Sequence, residues 1–417
     1  MIRSPLLFVL SFSVSCSFSF SPPLQAGDWP CWRGPDRNGV ASPDQDPPVE
    51  FGGDRNVLWS ADIPGRSHGS AIVVGDRVLL AAADEEKDTQ SLHCLDRNTG
   101  DSLWTALIHE GGQDQKSNKK ASWASGTPAC DGERVFINFV NGDSAWTTAV
   151  SLENGKQLWQ KKICDYKIHQ GYGSSPAIYE NLLIVSADNK LGGAVVAFDR
   201  VSGNEVWRVA RAAVPNYPSP IILKAAGKTQ LFLTGTDKVS SFDPLTGETN
   251  WEIEGATTEC VTSTVTDGTH IYSSGGYPKN HVAAIAADGS GKIAWEVPDR
   301  AYVPSMLIKD SHLYATLDGG IGICWDSATG EEKWKGRLGG TFSASPVLVG
   351  DRIYAFNESG DGFVFRADPD KLEILAKNKV GDEVFATPTI CGGRIYLRVA
   401  FYEGETRSEK LICFGKE

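Results

Sequence analysis

Short runs in which apolar and polar residues alternate fill most of the chain, separated by clusters of Gly, Asn, Asp and Pro. A period of two with β-branched and aromatic residues predicts strands, and the clusters predict tight turns. No long run repeats with a helical period, so the predicted elements are strands throughout. One unit recurs. "AFDRVSGNEVW" (197–207) reads A-x-D-x-x-x-G-x-x-x-W, and "CLDRNTGDSLW", "AVSLENGKQLW", "SFDPLTGETNW" and "CWDSATGEEKW" end at Trp104, Trp159, Trp251 and Trp334. A looser copy, "IAADGSGKIAW", ends at Trp295. In each, a Gly precedes the Trp by four residues. The Asp side chain can accept from turn amides and the Gly supplies a positive φ. The strand that follows carries a large indole to be buried between neighbouring sheets.

A second pattern interleaves with the first. Ser/Thr-Pro or a similar pair opens an apolar run, a turn and a second apolar run, clearest from Thr127, Ser175, Ser345 and Thr387 and looser from Ser70, Ser219, Ser263 and Pro304. These are eight hairpins, each leading to the strand-turn-strand with the Trp. Four strands per unit and a period of about 40 to 55 residues predict an all-β, eight-bladed β-propeller of antiparallel blades. The last unit ends at "LICFGKE" without a Trp strand, whereas "NVLWSADI" carries Trp59 ahead of the first hairpin. The N-terminal strand is therefore expected to complete the last blade, beside Cys413. Unit seven departs from the pattern, since "RADPDKLEILA" has Asp368 but neither the Gly nor the Trp. The expected organisation is a leader over residues 1–26, an extension over 27–56 and the propeller over 57–417. The structural docking residues are Trp59, Trp104, Trp159, Trp207, Trp251, Trp295 and Trp334. Trp29, in the extension, is expected to matter less for stability than any of them.

Composition agrees with many short strands: the 417 residues include 44 Gly and 12 Trp. The first 26 residues have one Arg, an apolar Ser-rich run and a small-residue site at Leu24-Gln25-Ala26, which reads as a secretory signal. A lipid-attachment site at Cys16 is a weaker alternative, because Ser13 stands where Leu is expected. No later run is long and apolar enough to span a membrane. The formal charge of −12 becomes −13 once the leader's Arg3 is lost, which disfavours nucleic acid as a partner. Nine cysteines show no C-x-x-C and no adjacent pair. Cys94, Cys324 and Cys413 take the small-residue slot of the repeat and read as buried packing residues. Seven scattered histidines have no metal-ligand spacing, and no G-x-S-x-G, H-E-x-x-H or Walker loop occurs.

The repeat resembles the tryptophan-docking motif of pyrroloquinoline-quinone (PQQ) repeat propellers, over about residues 57–417. That family includes quinoprotein alcohol dehydrogenases and the propeller lipoprotein of the outer-membrane barrel-assembly machinery. "GDWPCWRGPDRNGV" is similar to a W-P-x-x-R-G-P signature, matched by Trp29, Pro30, Arg33, Gly34 and Pro35, of exported proteins common in planctomycete-like bacteria. The resemblance implies the fold. The dehydrogenases carry a vicinal Cys-Cys ring and a Glu, Asn and Asp set around Ca²⁺. This chain has no such pair, and no such set aligns to particular positions. No cofactor is therefore expected, with PQQ and Ca²⁺ as the alternative.

The segments ahead of the hairpins should gather at one mouth of the central channel. They carry Arg66 and His68, Trp123, His169 and Tyr172, Tyr217, Tyr302, Phe342 and Phe385. These residues form either a funnel that binds a planar or sugar-like ligand or a peptide, or packing between blades. Tyr172, Tyr217 and Trp123 are expected to converge there. Loop 108–123, with Lys116, Lys119 and Lys120, is either a solvated loop or a lid favouring an anionic group. The expectation is an exported, non-catalytic propeller whose partner is a small molecule, a glycan or an envelope protein. A PQQ-dependent oxidoreductase and an envelope assembly scaffold are the alternatives.

Overall fold

The computed structural model describes residues 27–115 and 117–416. The expected leader, with Cys16, and Lys116 lie outside the described residues. Eight sheets follow in order, each with four antiparallel strands; the seventh gains a short parallel fifth from the N-terminal extension. Blades 1 to 7 occupy residues 72–110, 129–165, 177–211, 221–254, 265–297, 307–337 and 347–379. Blade 8 combines Thr389–Cys391, Arg394–Glu403 and Thr406–Gly415 with Val57–Ile63 from the other end of the chain. Trp59 lies opposite Cys413 in that antiparallel pair, so the ring closes on the expected strand. Closure leaves no open edge at the join of the two ends.

Two girdles hold neighbouring blades together. At the outer strands, six of the seven docking indoles lie on the turn glycine of the next copy; Trp334, facing unit seven, has only the Asp368 carbonyl of that turn, at 2.7 Å. A Cβ added to Gly247 would sit 2.6 Å from the Trp207 ring, and Gly100 stands in the same relation to Trp59, Gly155 to Trp104 and Gly203 to Trp159. The indole N–H then donates to a turn carbonyl, as from Trp104 to Leu152 (3.1 Å), Trp159 to Arg200 (3.3 Å) and Trp207 to Pro244 (3.3 Å). The turn Asp does what its spacing implied: Asp199 accepts from the amides of Val201 and Ser202. In the looser copy the glycine under Trp251 is Gly289, not the Gly291 that keeps the four-residue offset, and the Trp251 indole N–H has no partner.

At the inner strands the Ser/Thr pattern forms the second girdle. At six of the eight joints the amide donates to the hydroxyl of the counterpart one blade on: Ser70 to Thr127, Thr127 to Ser175, Ser175 to Ser219, Ser263 to Ser305, Ser305 to Ser345 and Ser345 to Thr387. In blade 6 the girdle residue is Ser305, one beyond the expected Pro304. Because each innermost strand starts at this girdle and ends at its hairpin turn, the girdle marks one end of the channel.

The opposite end is plugged by the chain's own extension. Trp29 bridges Val73 of blade 1, and the Pro30 carbonyl accepts from Cys130 of blade 2. Arg37 donates to Ile178 of blade 3, Arg33 to Met306 at blade 6, and Val40–Ala41 runs parallel to Val347–Val349 of blade 7. Contacts to the innermost strands of so many blades place the segment across the channel. Trp29 is 2% exposed, which corrects the expectation that it is peripheral. It packs over Gly34, whose φ of +82° suits a residue without Cβ.

The extension also explains unit seven. Its outer strand, Ile374–Lys379, puts Ala376 where the other copies have Trp. Blade 8 is broken between chain ends and has no Asp-Gly turn to receive an indole. Phe51 fills that seam against Tyr354, Phe356 and Phe414, tied by its amide to Asn378 (3.0 Å). Cys94, Cys324 and Cys413 are fully buried, and all eight cysteines among the described residues are free.

Candidate functional site

The girdle end of the channel opens into a cup of about 610 Å³. Its rim and walls come from the segments ahead of each innermost strand and from the turns between second and third strands. Trp32 of the plug forms part of the lining, its indole N–H donating to the Ser263 hydroxyl (2.9 Å). The plug therefore closes the far end of the channel and also contributes to the cup's floor.

Six of the nine residues singled out from the sequence line this cavity: His68, Tyr172, Tyr217, Tyr302, Phe342 and Phe385. Their rings are not equivalent. Phe342 is fully buried against Phe363, while the other five are partly exposed. His68 stacks on Phe385 at 4.4 Å, and burial together with the Arg66 charge holds its pKa well below the usual histidine value. It is thus a neutral ring at pH 7. The Tyr172 hydroxyl donates to the Ser186 carbonyl (2.9 Å), and burial raises its pKa. Burial pushes Tyr302 up to about 12, so these phenols stay protonated.

The other three lie elsewhere. Trp123 packs against the core between blades 1 and 2, and its carbonyl accepts from Gln90 (2.9 Å). Its expected convergence with Tyr172 and Tyr217 is not realised, because the ring fills an inter-blade gap rather than the channel. His169 lies 3.4 Å from Glu259, off the cavity lining. Arg66 sits at the rim, donating to the Lys119 carbonyl (2.8 Å) with its guanidinium 5.9 Å from the Phe385 ring.

The long loop crosses the mouth as a strap. Gln115 donates to the carbonyls of Gly142 and Tyr166, fastening the strap to blade 2 and the loop after it. Asn118 pairs with Gln170, amide to amide, at 2.6 Å. Lys120 then reaches Glu358 of blade 7 at 2.7 Å, so the strap is anchored on two sides. Glu358 also accepts from Ser343 (2.7 Å). On another wall Asp318 lies 3.8 Å from Arg300 and accepts from the Tyr302 amide (2.7 Å); burial raises its pKa. Sequence reasoning missed Trp32, Arg300, Asp318 and Glu358. Trp32 and Arg300 stand at positions the repeat does not mark, whereas Asp318 and Glu358 share one turn position of blades 6 and 7, an acidic residue four beyond Tyr314 and Tyr354 that the sequence did offer.

These donors can be weighed against a quinone held with Ca²⁺. A hard cation needs six to eight oxygen ligands gathered together. The cup's two carboxylates are on different blades, and each already holds a basic side chain. Among the described residues no group of three His, Cys, Asp or Glu is arranged to hold a metal ion. The residues present do not fit that pair.

The family model described as outer membrane protein assembly factor BamB matches residues 52–163, 88–335 and 278–375. BamB of Burkholderia pseudomallei (strain K96243) is 25% identical over 364 residues, 82% of this chain and 85% of that protein. A polyvinylalcohol dehydrogenase of Pseudomonas sp. is 30% identical over 187 residues, 41% of this chain and 27% of that enzyme. A second, from Sphingopyxis sp. (strain 113P3), is 23% identical over 332 residues, 75% of this chain and 44% of the enzyme. The chain thus spans less than half the length of the polyvinylalcohol dehydrogenases it matches. Among solved structures, a europium-containing methanol dehydrogenase superposes with a TM-score of 0.66 at 11% identity, covering 94% of this chain and 98% of the other. BamB from Moraxella catarrhalis gives 0.59 at 14%, covering 85% and 96%. Likenesses at such identity establish the fold.

Proposed function

Because the chain belongs to the propeller family described as outer membrane protein assembly factor BamB, and is related in fold to quinoprotein dehydrogenases, we propose that it is an exported binding protein that takes a small ligand in the cup and performs no chemistry on it. One observation carries this reading. The channel is plugged at one end by the protein's own extension and opens at the other into an aromatic-lined cavity crossed by an anchored strap. A cavity of this size, mostly apolar with a few placed polar groups, suits a small molecule. Packing alone would explain buried rings, but five of the six rings keep exposed surface toward the space.

Among the described residues the cup's two carboxylates are each engaged by a basic side chain, which favours a bound neutral ligand over a Ca²⁺-held quinone. Among the described residues no helix is long and apolar enough to cross a membrane. A leader over residues 1–26 would deliver the propeller across one.

A saturation-transfer screen of neutral sugars, nucleosides, short peptides and aromatic acids tests the proposal. At least one class should receive magnetisation from the protein, and Tyr172→Ala with Tyr217→Ala should abolish the transfer. If every class fails, the reading is wrong. A second reading, an envelope assembly scaffold, is favoured by length: the match covers 85% of the Burkholderia BamB but 27% of the Pseudomonas enzyme. Recovery of an outer-membrane protein at one-to-one stoichiometry, with no small molecule bound, would put that reading first.

A further inference from the structure

Charge pairing in the cup narrows the class of ligand, and we propose that the cup takes a neutral oligosaccharide. This rests on the reading of the cup as a small-molecule site. Lys120 and Arg300 both line the cavity, and each faces a carboxylate of the wall, at 2.7 Å and 3.8 Å. A carboxylate, sulfate or phosphate on the ligand would have to compete with Glu358 or Asp318 for its cation. It would also leave a largely buried carboxylate without its partner, which is costly. Of the loop's lysines, Lys120 is therefore not a free cation for an anionic group.

A neutral polyol meets the same groups without that conflict. Each pair sets N–H donors beside carboxylate acceptors, and a vicinal diol offers hydroxyls that both donate and accept. The Arg300 side chain is 47% exposed and that of Lys120 63%, so both keep donors free while Asp318 and Glu358 hold them in place. The two carboxylates stand at equivalent turns of the adjacent blades 6 and 7, so neighbouring hydroxyls along one side of a ligand are served. Aromatic faces complete the match. Trp32 is partly exposed and fixed at the floor by its bond to Ser263, while Tyr302, under the Arg300 guanidinium at 5.1 Å, holds that donor in position. The C–H faces of sugar rings pack on such surfaces, which supply apolar contact without demanding charge.

Isothermal titration of the full mature chain with homo-oligomers of glucose, mannose, xylose and N-acetylglucosamine, and with uronate and sulfated counterparts, tests the idea. At least one neutral oligomer should bind one-to-one and more tightly than its charged counterparts. Asp318→Asn and Glu358→Gln should each weaken it at least tenfold at an unchanged melting temperature. Should Asp318→Asn melt early, Arg300→Gln, altering a half-exposed side chain, should show the same tenfold loss. Tighter binding of the charged counterparts, or no binding of any neutral oligomer, overturns the proposal. If a peptide or aromatic acid instead binds in a manner dependent on Tyr172 and Tyr217, the saccharide class fails and the cup reading stands. If nothing binds, both fail.

Discussion

Every docking tryptophan but Trp334 rests on a glycine in the neighbouring blade, so the two residues should fail together. Trp207→Ala removes a buried ring and its bond to Pro244, and should cost about 3 to 5 kcal/mol in chemical denaturation. Gly247 has φ +74°, and a methyl there would sit 2.6 Å from the same ring. Gly247→Ala should therefore cost about 2 kcal/mol or more, from backbone strain and overpacking. Trp29→Ala should match Trp207→Ala rather than fall far below it, since Trp29 is the more buried of the two. The tryptophan-glycine offset was legible because it recurs, and a repeated offset implies a repeated contact. The place of Trp29 and Trp32 was not legible, because each occurs once, Trp29 pairing with Val73 and Trp32 reaching Ser263 across the ring. Histidines supply a residue-scale pH dependence. Burial depresses His93 and His109 to about 4, and His68 well below its usual value. Between about pH 6.5 and 4 the unfolded chain takes up protons that the native chain refuses. Stability should therefore fall as the pH drops through that window, by at most about 1.4 kcal/mol per pH unit for each histidine. His109→Gln should flatten the slope of melting temperature against pH; an unchanged slope would remove His109 from the account.

At the scale of elements, the seam where the two chain ends meet differs from the other joints. Glu409, on the third strand of blade 8, is 1% exposed and pairs with Arg398 at 3.1 Å and Arg407 at 2.7 Å. It also accepts from the Ser67 amide, in the segment that leads to blade 1 (3.1 Å). Arg398 reaches the Ala81 carbonyl in blade 1 as well. These bonds tie blade 8 to blade 1 by charge. Glu409→Ala leaves the buried Arg398 without its carboxylate, although Arg407 keeps Glu383, and should cost about 3 to 5 kcal/mol. A loss below 1 kcal/mol in urea unfolding would show that the seam is held by its apolar contacts alone. Hairpins, blade count and the closing strand were legible from period and turn chemistry. The cross-blade ion pairs were not, because a charge in an otherwise regular strand reads as a solvated face until its partner is known. The strap was legible as a long polar loop, whereas its anchors on Gln170 and Glu358 depend on ring closure.

For the whole molecule, closure and plugging are properties of the same N-terminal 62 residues. Truncating them removes the fourth strand of blade 8, Phe51 from the seam between blades 7 and 8, and the floor of the cup. Stability should fall by several kcal/mol and the cup should lose its ligand. An unchanged melting temperature would contradict the closure described here. The central claim is that the cup is a binding site and that its rings serve more than packing between blades. It is tested most directly by calorimetric titration of the ligand identified in the screen into the native protein and into the Tyr172→Ala/Tyr217→Ala variant, with thermal melts of both. The account predicts one ligand per chain for the native protein, none for the variant, and a variant that loses far less stability than Trp207→Ala. Undiminished binding by the variant, or a loss of stability equal to that of Trp207→Ala, would contradict it.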